Sequence, residues 1–303
     1  MRRFAVLGNP IEHSKSPEIH RAFAESCGHE IDYQKVLVEA GDFDRVVTNF
    51  FASGGIGLNV TAPFKGDAFA FAEVHTPDAI DAQAVNTLWR DDQGCVCGHT
   101  TDGSGLARDL EVNLGWKLTD AHILCLGAGG AMRGILGPLC DRSPALIHVA
   151  NRTPDRAMDL VALFEGRGSL TAGGLTAIPD REWGIVINGL SSGWAGDFPD
   201  LRISRISANA SAYDLIYSNE STPFMAWAES RGFQQVSDGL GMLVEQAADS
   251  YDTWNGERPL TSDVLAMLRA LTLVNLSSTR LESGFLTLRS FARNNLETNA
   301  LFR

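Results

Sequence analysis

The chain has 303 residues, 44% of them hydrophobic and 20% charged, with a formal net charge of −12. That length is large for one hydrophobic core, so two domains of an ordinary globular protein are expected. The acidic balance argues against non-specific nucleic-acid binding, no apolar run approaches the roughly 18 residues of a membrane span, and five cysteines without framework spacing fit a reducing cytoplasm.

Phe4 to Gly8 reads as a first strand, its five-residue apolar run being too short for a signal peptide. Asn9 to Pro17 is a polar turn holding Ser14 and Ser16 two residues apart. Ser16 suits an N-cap with Pro17 at N1, which leaves Ser14 without a structural task. The following helix, to about Cys27, places Ile19, Phe23 and Ala24 on one face. Ile31 to Val38 reads as a second strand and Asp42 to Ser53 as a second helix.

Ile56 to Val60 is a short apolar run that reads as a buried strand, and Pro63 suits the first turn of the helix after it. Lys65 then stands at a strand-to-helix handover, where α/β proteins often place ligands. A helix N-terminus disfavours a cation. Asn59, Thr61 and Lys65 therefore form a candidate polar site rather than ordinary helix surface. Ala84 to Arg90 and Cys95 to His99 flank Asp91-Asp92-Gln93-Gly94 as a hairpin. Cys95, Cys97 and His99 would share a strand face, but a fourth metal ligand is not apparent, so a half-buried strand is the better reading. Thr100-Thr101-Asp102-Gly103 follows, with a helix expected from near Gly105.

A second unit opens with the strand His122 to Leu126 and the turn Gly127-Ala128-Gly129-Gly130-Ala131. Such a turn lets backbone approach a pyrophosphate at a helix N-terminus, although Met132 occupies the third glycine position of G-x-G-x-x-G. The next strand, Ala145 to Ala150, ends in Asn151-Arg152-Thr153, with Arg156 a turn later. An NAD-type domain would place a carboxylate there; neutral and cationic groups suit a 2′-phosphate, so NADP is favoured. Strand and helix alternate throughout, which indicates βαβ units and mostly parallel sheets.

Gly184 to Asn188 is a further strand, and Gly189-Leu190-Ser191-Ser192-Gly193 after it matches a hydrolase nucleophile elbow. That reading needs a helix after the serine and a later histidine. Trp194 to Pro199 is not helical in pattern, and all seven histidines lie at or before His148. Ala212 to Tyr217 is read as a strand, Ser221-Thr222-Pro223 as the cap of a helix to about Ser230, and Gly239-Leu240-Gly241-Met242 as the turn into a long helix ending near Trp254. A helix from Thr261 closes the compact part.

The ordered set His13-Ser14-Lys15-Ser16-Pro17, Asn59 to Lys65, Ala84-Val85-Asn86-Thr87, Thr101-Asp102-Gly103, Gly127 to Ala131, Asn151-Arg152-Thr153, Tyr213 to Tyr217 and Asp238 to Gln246 resembles the shikimate dehydrogenase family, which reduces 3-dehydroshikimate with NADPH. The resemblance spans about residues 4 to 270. It implies a two-domain α/β fold with the active site in the cleft: an α/β substrate domain with a mostly parallel sheet (1–103 plus 240–271) and a Rossmann-like NADP domain (104–239). Residues 272–303 lie beyond the family's usual end; Leu281, Phe285, Leu288 and Ala292 keep helical spacing there.

The resemblance further implies Lys65 and Asp102 as the catalytic pair. Ser14, Ser16, Asn59, Thr61, Asn86, Tyr217 and Gln246 join them as substrate ligands. Gly127, Ala128, Gly129, Gly130, Ala131, Asn151, Arg152, Thr153, Arg156, Asn188, Leu190, Gly239 and Met242 would hold NADP(H), and no metal is expected. The partner is a small molecule, with the protein a monomer or homodimer. A quinate/shikimate relative and a non-catalytic sensor of shikimate-like ligands are the alternatives. Thr100, Gly189, Leu190 and Ser218 depart from the family pattern without removing a catalytic group.

Overall fold

The computed structural model describes residues 1–190, 198–199 and 201–271. The extension 272–303, Ser191 of the elbow motif and the Trp194–Asp197 stretch after it lie outside the described residues.

The first sheet begins with β1 (Arg2–Gly8), α1 (Ser16–Ser26), β2 (Ile31–Leu37), α2 (Phe43–Ala52) and β3 (Gly57–Val60), in which β1 pairs with β2 and β3 in parallel. After α3 (Lys65–Phe71), β4 (Val74–His75) and α4 (Pro77–Ala82) comes the expected hairpin of β5 (Thr87–Arg90) and β6 (Val96–His99). Its turn is closed by the Asp91 carboxylate, which accepts from the backbone N–H groups of Gln93 and Cys95. The strand order is β2-β1-β3-β5-β6-β4, and only β5 runs against its neighbours.

The second sheet follows α5 (Asp102–Arg108), which continues through a π-helical turn at Asp109–Asn113. It contains β7 (His122–Leu126), α6 (Gly130–Cys140), β8 (Leu146–Asn151), α7 (Pro154–Ala162), β9 (Leu170–Gly174), β10 (Glu182–Asn188), β11 (Arg205–Asp214), α8 (Pro223–Ser230) and β12 (Gln235–Ser237). All pairings are parallel, in the order β12-β11-β10-β7-β8-β9. Renumbered from β7, this is the doubly wound order 3-2-1-4-5-6, whose reversal between β7 and β10 leaves a crevice at the carboxyl ends of those strands. The long helix α9 (Leu240–Asn255) then returns to the first sheet, followed by a helix over residues 262–271.

Strand alternation divides the cores. On β1, Ala5 and Leu7 pack with Phe43, Val47 and Phe64 from the α2 and α3 side, while Phe4 and Val6 face Tyr33 and Trp254. Ile19, Phe23 and Ala24 of α1 meet Val244, Ala247 and Tyr251 of α9, which fixes α9 across the first sheet.

Four local expectations are corrected. Lys15, not Ser16, is the residue before α1; Ser16 is already the first helical residue, and it is the Ser14 hydroxyl that accepts an orphan N–H of the helix start, that of Ser16, at 3.3 Å. Pro63 stands before α3 rather than in it: a turn from Thr61 O to Phe64 N (3.0 Å) delays the helix to Lys65. The helix expected near Gly105 begins at Asp102. The strand expected to reach Tyr217 ends at Asp214, whose carboxylate accepts from Ile216 N–H and the Thr222 hydroxyl and so turns the chain out of the sheet. Thr222 caps α8 as expected, accepting from Met225 N–H at 3.2 Å.

Candidate active site

The carboxyl edge of the first sheet carries the polar residues. Ser14 and Ser16 follow β1, Lys65 follows β3, and Asp102 follows β6, while Asn86 enters the antiparallel β5 at the same edge. With Asn59, Thr61, Tyr217 and Gln246 they line one cavity of about 280 Å³. Leu215 and Gly239, from the loops after β11 and β12, and Met242, in the first turn of α9, close its other side. Gly239 and Met242, assigned by resemblance to the cofactor, thus border the same space as Lys65.

Lys65 Nζ lies 2.5 Å from Asp102 Oδ2, with the two side chains 32% and 11% exposed. Asp102 opens α5, where the helix dipole favours an anion; Lys65 opens α3, where it does not. The carboxylate therefore offsets the unfavourable placement of the cation. The other carboxylate oxygen accepts from Asn86 Nδ2 at 3.0 Å. Asn86 Nδ2 also lies within hydrogen-bond distance of Gln246 Oε1 and Thr101 Oγ1, and its Oδ1 accepts from Thr101 N–H and the Thr87 hydroxyl. Backbone N–H can only donate and carboxylate can only accept, so this amide has one orientation.

Ser14 and Ser16 present hydroxyls 3.2 Å apart to the cavity. Tyr217 joins them, its phenol pushed above its ordinary pKa by burial. Asn59 lines the cavity but is committed inward: its Oδ1 accepts from the Tyr33 hydroxyl at 2.6 Å, and its Nδ2 donates to Asn86 O and Ser250 Oγ. Tyr33, Thr87, Thr101 and Ser250 were not singled out as site residues from the sequence. Each is a polar residue buried by contacts distant in the chain, which no local pattern announces. Thr100 is buried and its hydroxyl has no partner among the described residues.

The crevice of the second sheet is shaped for backbone contact. Gly127 has φ +103°, and a Cβ there would come within 2.8 Å of Gly189 O. Both the left-handed conformation and the close approach require glycine. Gly129 precedes α6 and Gly130 begins it, and a Cβ on either would meet nothing within 4 Å. That leaves an open floor before the helix N-terminus, with Ala131 exposed and Ala128 half-buried beside it. A dinucleotide pyrophosphate fits such a cradle. Asn188, at the end of β10, donates to Asp214 Oδ1 and accepts from Leu190 N–H, fixing the opposite wall.

At the end of β8, Asn151 Nδ2 donates to Thr153 O, and Arg152, Thr153 and Arg156 are exposed. Neither arginine is ion-paired among the described residues. Ser218, where the family usually has proline, donates its N–H to Asp238 and accepts from Glu220 N–H. Proline has no N–H and could not make the first bond. Among the described residues no helix is long and apolar enough to cross a membrane.

Residues 6–88 match the profile of the shikimate dehydrogenase substrate binding domain, and residues 239–271 that of the shikimate 5′-dehydrogenase C-terminal domain. A shikimate dehydrogenase (NADP+) of Alkalilimnicola ehrlichii is 48% identical over 267 residues, covering 88% of this chain and 98% of the relative. Among solved structures, an Ael1 enzyme from Pseudomonas putida superposes with a TM-score of 0.81 at 38% identity, over 88% of this chain and 98% of its own. Shikimate 5-dehydrogenase from Thermus thermophilus, in complex with NADP(H) and shikimate, superposes with a TM-score of 0.74 at 31% identity, over 89% and 99%. The site geometry, the sheet order and these likenesses agree: the chain belongs to the shikimate dehydrogenase family.

Proposed function

We propose that the protein catalyses the reversible, NADPH-dependent reduction of 3-dehydroshikimate to shikimate. The observation that carries this reading is the Lys65–Asp102 pair on a small cavity that also holds Ser14, Ser16, Asn86 and Gln246 and is bordered by Leu215, just past the end of β11 in the doubly wound sheet. The division of labour follows the chain: residues 1–103 and 240–271 hold the substrate, and 104–239 hold the cofactor.

When bound, NADPH supplies a hydride to the ketone carbon. The ketone oxygen then gains negative charge, and an ammonium beside it both stabilises that charge and donates a proton. Lys65 Nζ is the group placed to do so. Asp102 anchors it at 2.5 Å and offers a carboxylate oxygen to a substrate hydroxyl. In the reverse direction the same nitrogen receives the alcohol proton. The Ser14 and Ser16 hydroxyls receive the substrate carboxylate, and Thr61, Asn86, Tyr217 and Gln246 receive its hydroxyls; Asn59 acts mainly as a strut beneath them. Gly127 to Ala131 carry the pyrophosphate, Asn151, Arg152, Thr153 and Arg156 the adenosine 2′-phosphate, and Asn188, Leu190, Gly239 and Met242 border the nicotinamide. Arginine forms bidentate, charge-assisted bonds to phosphate, which supports the preference for NADP.

A substrate panel tests the assignment. NADPH consumption with 3-dehydroshikimate should far exceed that with 3-dehydroquinate. Equal rates would move the protein to the quinate-using branch, and tight shikimate binding without turnover would make it a sensor.

A further inference from the structure

Behind the cavity runs a file of buried polar groups. The Tyr33 hydroxyl lies 2.6 Å from Asn59 Oδ1; Asn59 Nδ2 donates to Ser250 Oγ at 3.0 Å; Ser250 Oγ lies 2.7 Å from Thr87 Oγ1; Thr87 donates to Asn86 Oδ1 at 2.8 Å; and Asn86 Nδ2 donates to Asp102 Oδ1 at 3.0 Å. Tyr33, Thr87 and Ser250 are fully buried, and none of the three lines the cavity. Each hydroxyl has a single proton. If Thr87 gives its proton to Asn86, Ser250 must give its own to Thr87 at 2.7 Å rather than to Gln246 O at 3.1 Å. Every member then donates toward Asp102.

We infer that Ser250 and Thr87 are positioning residues for the reaction: a buried hydroxyl pair that passes hydrogen-bond polarisation and a fixed geometry from α9, through Asn86, to the carboxylate holding Lys65. The inference rests on the reading of Lys65 and Asp102 as the reacting pair. Chains of this kind strengthen each successive bond, and in a dry interior a donor left without its acceptor is costly. The Asn86 amide is held on the first sheet by the Thr87 hydroxyl of β5, yet its Nδ2 must meet a carboxylate on α5. Ser250 supplies the link, because one hydroxyl on α9 lies within hydrogen-bond range of Asn59, Thr87 and Thr101. Thr101 in turn donates to Gln246 O, one turn earlier on α9. The register of α9 is thereby communicated to the floor of the site.

Ser250→Ala and Thr87→Val each remove one hydroxyl and leave the cavity lining intact. Each is expected to lower kcat about tenfold while moving the KM for 3-dehydroshikimate less than about threefold, the loss of one positioned hydrogen bond. NADPH affinity should remain that of the unaltered protein, which shows that the variants are folded. Thr87→Ser should recover most of the rate. Because both hydroxyls act through Asn86, the double variant should be little worse than either single. Unchanged kcat in both singles, or fully multiplicative losses in the double, would overturn the inference while leaving the proposed reaction standing. Absence of turnover in the unaltered protein would overturn both.

Discussion

At the scale of single residues, the charged pair on the cavity is set by neighbours that neutralise or orient it. Lys65 tolerates a helix start because Asp102 faces it, and Asp102 is aimed by Asn86. Arg152 and Arg156 are different: both are exposed at the end of β8, where the strand offers Asn151 in place of a carboxylate. If they meet the 2′-phosphate, Arg152→Ala should weaken NADPH binding about tenfold or more and barely change NADH binding. Titration of cofactor fluorescence checks this, and equal losses for the two cofactors would refute the assignment. That Ser14, Ser16, Lys65 and Asp102 gather on one cavity was legible because polar residues crowd at strand ends in the sequence, although Ser14 also serves the start of α1 by accepting the Ser16 N–H. Ser250 was not: its partners Asn59 and Thr87 are 191 and 163 residues away in the chain. Only folding makes them neighbours.

At the scale of elements, glycine turns decide where backbone can approach a ligand. The β7–α6 turn is legible because an apolar strand meets three glycines, and the structure divides two tasks among them. Gly127 carries the positive φ and the contact with Gly189, while Gly129 and Gly130 leave space in front of α6. Gly127→Ala forces a side chain into the left-handed region and against a carbonyl. It should cost at least about 1–3 kcal/mol of stability and most of the affinity for NADPH, read by thermal melts with and without cofactor. A melt that still rises normally with NADPH would show the turn to be dispensable. Other elements were obscure for physical reasons. β9 reads Leu-Thr-Ala-Gly-Gly, with neither alternation nor β-branched density, and forms because β8 offers it a parallel edge. The end of β11 was overrun because Tyr213 to Tyr217 stays apolar past Asp214, whose carboxylate bonds break the strand.

At the scale of the whole molecule, α9 makes the first unit discontinuous in the chain. It leaves the second sheet after β12 and packs on α1 and on the face of the first sheet that carries Tyr33. His20 of α1 is enclosed there, stacked on Tyr33 at 4.4 Å, and burial pushes its imidazole from the ordinary 6.5 down to about 3. The folded state thus keeps His20 neutral where the unfolded chain protonates it. Stability carries no such cost above pH about 6.5, and the cost grows as pH falls toward about 3. The denaturation midpoint should drop between pH 7 and pH 5, and His20→Phe should drop less. Identical drops would place the acid sensitivity elsewhere. Two sheets and their alternating helices were readable from strand and helix periodicity. The crossing back by α9 was supplied by the family likeness, since hydrophobic pattern alone does not say which sheet a helix covers.

In the proposed reaction Lys65 is the proton donor to the reduced ketone. Steady-state rates of Lys65→Ala with 3-dehydroshikimate and saturating NADPH test it most directly. The prediction is a fall in kcat of about 10²-fold or more with only a modest change in KM. A kcat equal to that of the unaltered protein would contradict it.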